Sequence, residues 1–461
     1  MTGDQNNQAT ALDGPSILAR LDRLPVWPYP KSVLWIVGFG FFFAFFDIVT
    51  IGFAVPVVAK QFGISSELAA WAITASLIGY IFGSFFDSRI ADRWGRRVSL
   101  LISVAFFTVG SLLSATSPDI WWLIFWRLIS GMGIGAEISA VSTYLGELSP
   151  APRRGRNTAW AIAAGMLGFA VVPFAALALV PHFDWGWRAL FVVGGLGGLV
   201  IGLMRRGLPA SAHWLVCHGR LAQAEAEVAA AEQRVRAQLD DDLPPPQVRA
   251  DCTPIGHSAL SDLIRPPYLR RLILMTAVWF IYYLGNYGWL TLAPTLFVKE
   301  GYSLAHSISF MVLTGIGFVV GAVCAAWISD RQERKSTVAL ICLAWAVSLA
   351  AIGSEPSMVI IMVCGFIAST TIGLLIPILY TYTAENFPTG IRATGVSATD
   401  GMGHLGGALA PVAVLAAFGH WGFVGAFYLM ALTGVATALL LLFGVRTTGR
   451  SLDEISRSAS K

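Results

Sequence analysis

Three stretches of this chain, 33–46, 190–204 and 426–445, are apolar almost throughout and contain no charged residue. No other feature limits the possible folds as tightly. About 20 apolar residues wound as an α-helix cross a hydrocarbon layer about 30 Å thick, and inside that layer only helices or closed barrels satisfy every backbone N–H and C=O. Composition agrees: 56% of the 461 residues are hydrophobic before 47 glycines are counted, and 13% are charged, against a usual share of about 25%. Too few polar residues remain to cover a soluble domain of this size. The expected fold class is an all-α membrane protein that crosses the bilayer many times.

Grouping the apolar stretches between charges, Pro and Gly gives twelve spans: 33–59, 69–88, 98–116, 121–145, 157–180, 188–205, 270–296, 305–328, 337–353, 357–383, 393–417 and 422–445. With both termini in the cytoplasm, 27 of the 31 Lys and Arg residues fall in cytoplasmic segments, as the positive-inside rule requires. Lys60, Arg188 and Lys299 fall on the other side, and Arg127 lies inside the fourth span. The first thirty residues lack a short apolar core followed by a cleavage site, so the first span is expected to act as the insertion signal.

A constant shift exposes an internal repeat. Moving 238 positions, from 92 to 330, carries Asp92-Arg93-Trp94-Gly95-Arg96-Arg97 onto Asp330-Arg331-Gln332-Glu333-Arg334-Lys335. The same shift carries Glu147, Pro150 and Arg154 onto Glu385, Pro388 and Arg392, and Pro56 onto Pro294. An ungapped match over this distance marks a duplication of six spans in the same orientation. The expected organisation is a cytoplasmic tail (1–32), a six-helix half (33–206), a cytoplasmic central loop (207–268), a second six-helix half (269–445) and a cytoplasmic tail (446–461). Within the loop, 219–239 reads as a surface helix ended by Asp240-Asp241-Asp242 and Pro244-Pro245-Pro246. Charged faces of this kind are usually solvated, so the loop reads as a linker without chemistry of its own.

Several function classes drop out. The seven histidines are scattered with no HExxH spacing, the five cysteines show no paired spacing, and no GxxxxGK[ST] phosphate loop occurs. No enzyme, metal or cofactor is expected. The net charge of +4 is not gathered on one soluble face, so no nucleic-acid partner is implied either.

Two six-helix halves, each with an acidic and basic loop after its second span, resemble the major facilitator superfamily, whose halves rock about a site near the bilayer midplane. The resemblance covers about residues 30–446. Asp92 to Arg97 is similar to the superfamily's signature loop, with Ser88 and Ala326 where glycine is usual. Phe46-Asp47 through Gly52, Arg127 with Gly131, Gly133 and Gly135, Glu147 to Gly155, Gly186-Trp187-Arg188 and Glu385 to Arg392 resemble the sugar-porter and metabolite-symporter branch. The resemblance implies that the loops latch the halves in one conformation. That makes Asp92, Arg93, Arg96, Arg97, Glu147, Arg154, Asp330, Arg331, Arg334, Glu385 and Arg392 gating candidates, with plain anchoring of topology as the alternative. Departures bear on the substrate. Where hexose carriers of this branch have a Gln pair, an Asn and a further Gln, this chain has Ile281, Tyr282, Tyr287 and Ile162, so a hexose pocket looks dismantled. Aromatic-acid symporters carry two acids three apart in the first span; here Asp47 stands with Ala44. The segment 208–215 resembles the motif after the sixth span but lacks its Glu, second Pro and Arg.

A charge at the centre of a membrane helix costs about 2.5 to 3.5 kcal/mol on insertion scales, so each one needs a reason. Asp47 lies near the middle of the first span. Arg127 has no acid within one turn of its own helix and needs a partner from another, for which the family pattern also supplies Asp47. The pair reads as a proton carrier with its modulator, or as a permanent brace between two helices. Glu137, ten residues beyond Arg127 and so about 15 Å further along, is a second protonatable group, a substrate contact or a hydrogen-bonded interhelical acid. Asp400 and His404, four apart on one helix face, bind an anionic group, relay protons or form a structural pair. Tyr282, Asn286, Tyr287, Tyr380 and Trp160 are candidates to line a pocket for a planar or small organic solute, although Tyr and Trp also populate interfacial belts.

The expected function is therefore secondary transport of a small organic solute, most simply proton-coupled uptake of an organic anion by alternating access across the inner or plasma membrane. A sugar or polyol carrier, a proton-driven drug efflux carrier and a non-transporting nutrient sensor are the alternatives. The implied partners are substrate, protons and the lipid bilayer, with no obligate protein partner.

Overall fold

The computed structural model describes residues 13–150, 154–239, 242–246, 263–266, 268–328, 332–355, 357–387 and 391–447. Their regular structure is helical: α1 (Gly14–Asp22), α2 (Lys31–Phe62), α3 (Ser66–Trp94), α4 (Arg96–Ala115), α5 (Ile120–Leu148), α6 (Arg154–Leu179), α7 (Gly186–Arg205), α8 (Ala212–Cys217), α9 (Leu221–Leu239), α10 (Tyr268–Tyr287), a π-helical turn (Gly288–Leu292), α11 (Ala293–Lys299), α12 (Leu304–Ile328), α13 (Arg334–Ser354), α14 (Met358–Glu385) and α15 (Arg392–Leu441). Ten helices among the described residues are long and apolar enough to cross a membrane. One of them, α15, is two crossings joined at Gly422, whose φ of 66° interrupts the helix. The path from α10 through the π turn to α11 supplies the last of the twelve.

That path corrects the expectation of one continuous helix over 270–296. Pro294 has no N–H for the carbonyl one turn back, and just before it the chain widens into the π turn at Gly288–Leu292. Such turns recur at functional positions.

The duplication is visible in three dimensions at the same shift of 238. Helices begin at 66 and 304, 96 and 334, 120 and 358, and 154 and 392. An ion pair repeats with them: Arg96 holds Glu147 at 2.8 Å and Arg334 holds Glu385 at 3.0 Å. So does the packing. Gly83 lies against the Met132 carbonyl and Gly135 against that of Tyr80, while Gly321 meets the Thr370 carbonyl and Gly373 that of Phe318. In each half two helices touch backbone to backbone, as small residues permit in a membrane where no hydrophobic effect drives helices together.

The central loop and the N-terminal tail fold together, which the linker reading did not anticipate. Ile17, Leu18 and Leu21 of α1 share a small core with Leu215 of α8 and with Ala224, Val228 and Val235 of α9. Arg20 and Arg23 reach Glu232 at 2.7 and 2.6 Å. Burial alone would raise the Glu232 carboxyl, but the two arginine hydrogen bonds outweigh it and hold the group below the usual carboxylate range. The module is fastened to the first half by Tyr144 Oη donating to the Pro209 carbonyl at 2.8 Å and Trp214 Nε1 donating to the Asp92 carbonyl at 3.0 Å.

The halves touch at the end opposite this module. There Lys299 pairs with Glu67 at 2.8 Å, and Gly52 lets α2 touch Thr291 of the π turn. Thr74 Oγ1 donates to the Ala408 carbonyl at 2.8 Å, joining α3 to α15.

Two glycines on α5 should behave oppositely. A Cβ on Gly131 would lie 1.9 Å from the Ser76 carbonyl oxygen, whereas one on Gly146 meets nothing within 4 Å. Gly131→Ala is expected to cost about 1–3 kcal/mol through overpacking and Gly146→Ala to stabilise by about 0.5–1 kcal/mol, read as opposite shifts in thermal unfolding of the purified protein.

Candidate functional site

A cavity lies where the halves face each other, walled by Ile48 and Ile51 of α2, Ser76 and Tyr80 of α3, Tyr287 of α10 and Thr291 of the π turn. A charged cluster stands behind each side of it.

On the first side, Asp47 and Arg127 are both 0% exposed and pair at 2.6 Å, Nη1 to Oδ2. Arg127 Nε donates to Ser76 Oγ at 3.0 Å, and Ser130 Oγ donates to the same carboxylate oxygen at 2.9 Å. Ser111 Oγ donates to the other oxygen. The guanidinium also sits 5.0 Å from the centroid of the Phe191 ring. Five helices, α2 to α5 and α7, thus converge on one carboxylate and its counter-charge. In an interior this dry, neither charge is tolerable without the other. A proton arriving on Asp47 would cancel the pair and leave Arg127 as an uncompensated cation, one serine away from the cavity.

On the second side, Asp400 of α15 is ringed by phenols. Tyr283 and Tyr380 donate to its Oδ1 at 2.8 and 2.6 Å, and Tyr80 donates to Oδ2 at 3.2 Å. His404 Nδ1 lies 2.8 Å from the backbone carbonyl of Asp400 and 3.7 Å from its carboxylate, so the histidine is turned mainly toward the main chain. The Tyr80 ring stacks on His404 with centroids 3.7 Å apart. Tyr80 belongs to the opposite half from every other member of this cluster.

The remaining sequence candidates fall into place or away from it. Tyr287 lines the cavity and packs 5.7 Å from the His404 ring. Asn286 is buried, with an Oδ1 that finds no partner among the described residues. Three pocket or coupling assignments need correcting. Trp160 is 64% exposed and shares one outward stripe of α6 with Leu167, Val171 and Phe174; that periodicity is a lipid-facing helix surface. Tyr282 is buried inside the second half against Trp279 and Trp345, away from the cavity. Glu137 belongs to neither charged cluster, because Arg205 clamps it with two hydrogen bonds, one of 2.6 Å, and Ser103 adds another at 2.8 Å. Charge counting had placed Arg205 among the cytoplasmic residues, yet it is 0% exposed at the end of α7.

The gating candidates form ion pairs within a half. Arg96 binds Asp92 at 2.7 Å as well as Glu147, Arg334 binds Glu385, and Arg392 Nε lies 3.4 Å from the Phe387 carbonyl. Arg93 lies beside the Trp94 ring, and Arg97 is exposed. Among the described residues no ion pair crosses between the halves at this end, where the resemblance implied a latch. Asp330, Arg331 and the Arg154 side chain lie outside the described residues. Sequence reasoning missed Ser76, Ser111, Ser130 and Tyr80, which are uncharged and scattered over three helices. Tyr80 carries one usable signal: it falls one turn from Ser76 on the same face.

Residues 37–411 and 311–459 match the family model described as Major Facilitator Superfamily. The niacin transporter NiaP of Acinetobacter baylyi is 28% identical to this chain over 441 residues, covering 95% of this chain and 99% of that protein. The 4-hydroxybenzoate transporter PcaK of Pseudomonas aeruginosa is 28% identical over 447 residues, covering 94% and 97%. Among solved structures, the inward-open xylose transporter XylE from E. coli is similar with a TM-score of 0.72 at 20% identity, covering 94% of this chain and 100% of that one.

Because Glu137 and Arg205 satisfy each other in a dry site, Arg205→Met should destabilise the protein by about 3–5 kcal/mol, and adding Glu137→Leu should recover most of that loss. Thermal unfolding of the two variants in one detergent checks this; equal destabilisation by both would show that the pair is not the reason.

Proposed function

The chain belongs to the major facilitator superfamily, and we propose that it imports a small aromatic or other organic monocarboxylate together with a proton. Membership makes it an integral membrane transporter of small solutes rather than an enzyme. The observation that carries the finer reading is the buried Asp47–Arg127 pair with Ser76 linking it to the cavity wall. With Asp47 ionised the cluster is neutral and has little attraction for an anion. A proton on Asp47 frees the Arg127 charge, and a carboxylate entering the cavity restores neutrality. Proton and anion then favour each other's binding, because each removes the cost of burying the other's charge. One proton with one monocarboxylate makes an electroneutral cargo.

The walls agree with such a cargo. Ile48, Ile51, Ile73, Leu77, Ile134 and Tyr287 offer flat apolar contact, and Ser76, Tyr80 and Thr291 offer a few polar points, the usual composition of a site for a small organic ligand. Two relatives named for niacin and 4-hydroxybenzoate transport support a ring-bearing acid. The Lys and Arg distribution supports both termini in the cytoplasm of a cell-membrane protein. In that orientation the Lys299–Glu67 end is the outer one, and the closed outer end corresponds to a cytoplasm-facing state of an alternating-access cycle.

Reconstituted into liposomes under an inwardly directed proton gradient, the protein should accumulate labelled nicotinate, benzoate or 4-hydroxybenzoate in preference to xylose. Asp47→Asn, a permanent mimic of the protonated acid, should exchange the substrate across the membrane but lose gradient-driven accumulation. Flux of xylose alone, or accumulation indifferent to Asp47→Asn, would overturn the reading.

A further inference from the structure

Asp400 poses a problem for a cavity that takes up anions. It is a carboxylate close to the substrate space, with 11% of its side chain still exposed, and among the described residues it has no Lys or Arg partner. Phenol hydroxyls carry its charge instead: Oδ1 has two donors from its own half, and Oδ2 depends on Tyr80 from the other half. The Tyr80 bond is also the longest of the three, at 3.2 Å. A substrate carboxylate is repelled here. A hydroxyl, an amide N–H or a protonated ring nitrogen is attracted.

We infer that Asp400 is a specificity residue that binds a hydrogen-bond donor on the substrate, and that this donor takes over Oδ2 from the Tyr80 hydroxyl. The inference rests on the cavity being a carboxylate site. The preferred cargo is then an aromatic monocarboxylate carrying a donor across the ring from its carboxyl group. Ser76, which touches Arg127, and Tyr80, which touches Asp400, both line the cavity four residues apart on α3, a rise of about 6 Å. A ring with opposed substituents would direct its carboxylate toward the freed Arg127 and its donor toward Asp400. Tyr287 and the stacked Tyr80 and His404 rings lie alongside as aromatic surface.

The exchange also explains why the donor comes from the other half. A hydroxyl fixed to the same rigid body as Asp400 would stay in place through the rocking motion. Tyr80 moves with the first half, so the bond is one that the transport cycle remakes, and a cargo that occupies Oδ2 satisfies the carboxylate while Tyr80 is away. An oxygen left without a donor in this setting is the costly alternative.

The test is the ratio of KM for benzoate to KM for 4-hydroxybenzoate, measured by uptake into proteoliposomes. The wild type should show a ratio of about ten or more, the value of one hydrogen bond to a charged group. Asp400→Asn should bring the ratio toward one. Tyr80→Phe removes the internal competitor and should raise the ratio, a sign opposite to that of general damage to the site. Thermal unfolding and gel filtration establish that each variant is folded, and if Asp400→Asn is not, the direction of change in Tyr80→Phe decides. A wild-type ratio near one, or a ratio that neither variant moves, overturns this inference while leaving the carboxylate reading intact. Failure to carry either acid while xylose flows overturns both.

Discussion

Charge in a medium that cannot solvate it governs this structure. A buried carboxylate or guanidinium stripped of water is tolerated only where an opposite charge or a set of hydrogen bonds replaces its hydration. Each intramembrane charge therefore ties together helices distant in sequence. Asp47 and Arg127 bind α2 to α5 and draw serines from α3, α4 and α5 around them. Glu137 and Arg205 bind α5 to α7 in the same way. The difference between the two pairs is access: one touches the cavity wall through Ser76, and the other is closed off by Leu100 and Ser103.

The duplication sharpens the point, because the chemistry is not duplicated with the scaffold. Shifting Asp47 and Arg127 by 238 positions lands on Gly285 and Gly365. Trp345 lies beside the first of these and Trp289 beside the second, filling space that the charges occupy in the other half. Glycine-mediated packing and the Arg–Glu pairs at the helix ends survive in both copies. What both halves need for rigidity is retained twice. The buried Asp47–Arg127 pair stands in one half, and the phenol-ringed Asp400 stands in the other.

This division also decides what could be read from the sequence. Apolar run length, Lys and Arg placement and the shift of 238 disclose twelve crossings and a duplicated arrangement, since those signals are local or strictly periodic. Arg127 announces that it needs a partner because nothing on its own helix supplies one. Arg205 gives no such signal: at the end of a span, beside Arg206, it looks like an ordinary topology charge, and its burial follows only from how α5 and α7 pack. The π turn hides behind a proline that most membrane helices would simply kink around. The α1–α9 module is hidden for a different reason. Its apolar stripe on α9 is Ala224, Val228, Ala231 and Val235, too small to stand out, and its partner lies some 200 residues away. Trp160 and Tyr282 show the converse error, in which residue type was informative but helix face was not.

The strong contacts lie within the halves, and few join them. Arg96–Glu147, Arg334–Glu385 and Glu137–Arg205 each hold one half together, so none has to break when the halves rock. Among the described residues the polar contacts that cross are Lys299–Glu67, Thr74 on the Ala408 carbonyl, and Tyr80 on Asp400. All three arise from α3, and the same helix carries Ser76, the contact of Arg127. Any rearrangement of the Asp47–Arg127 pair is felt on the face of α3 that also holds the second half. Ser76 and Tyr80, one turn apart, thus place the contact of the buried charge pair and a contact between the halves on one helix.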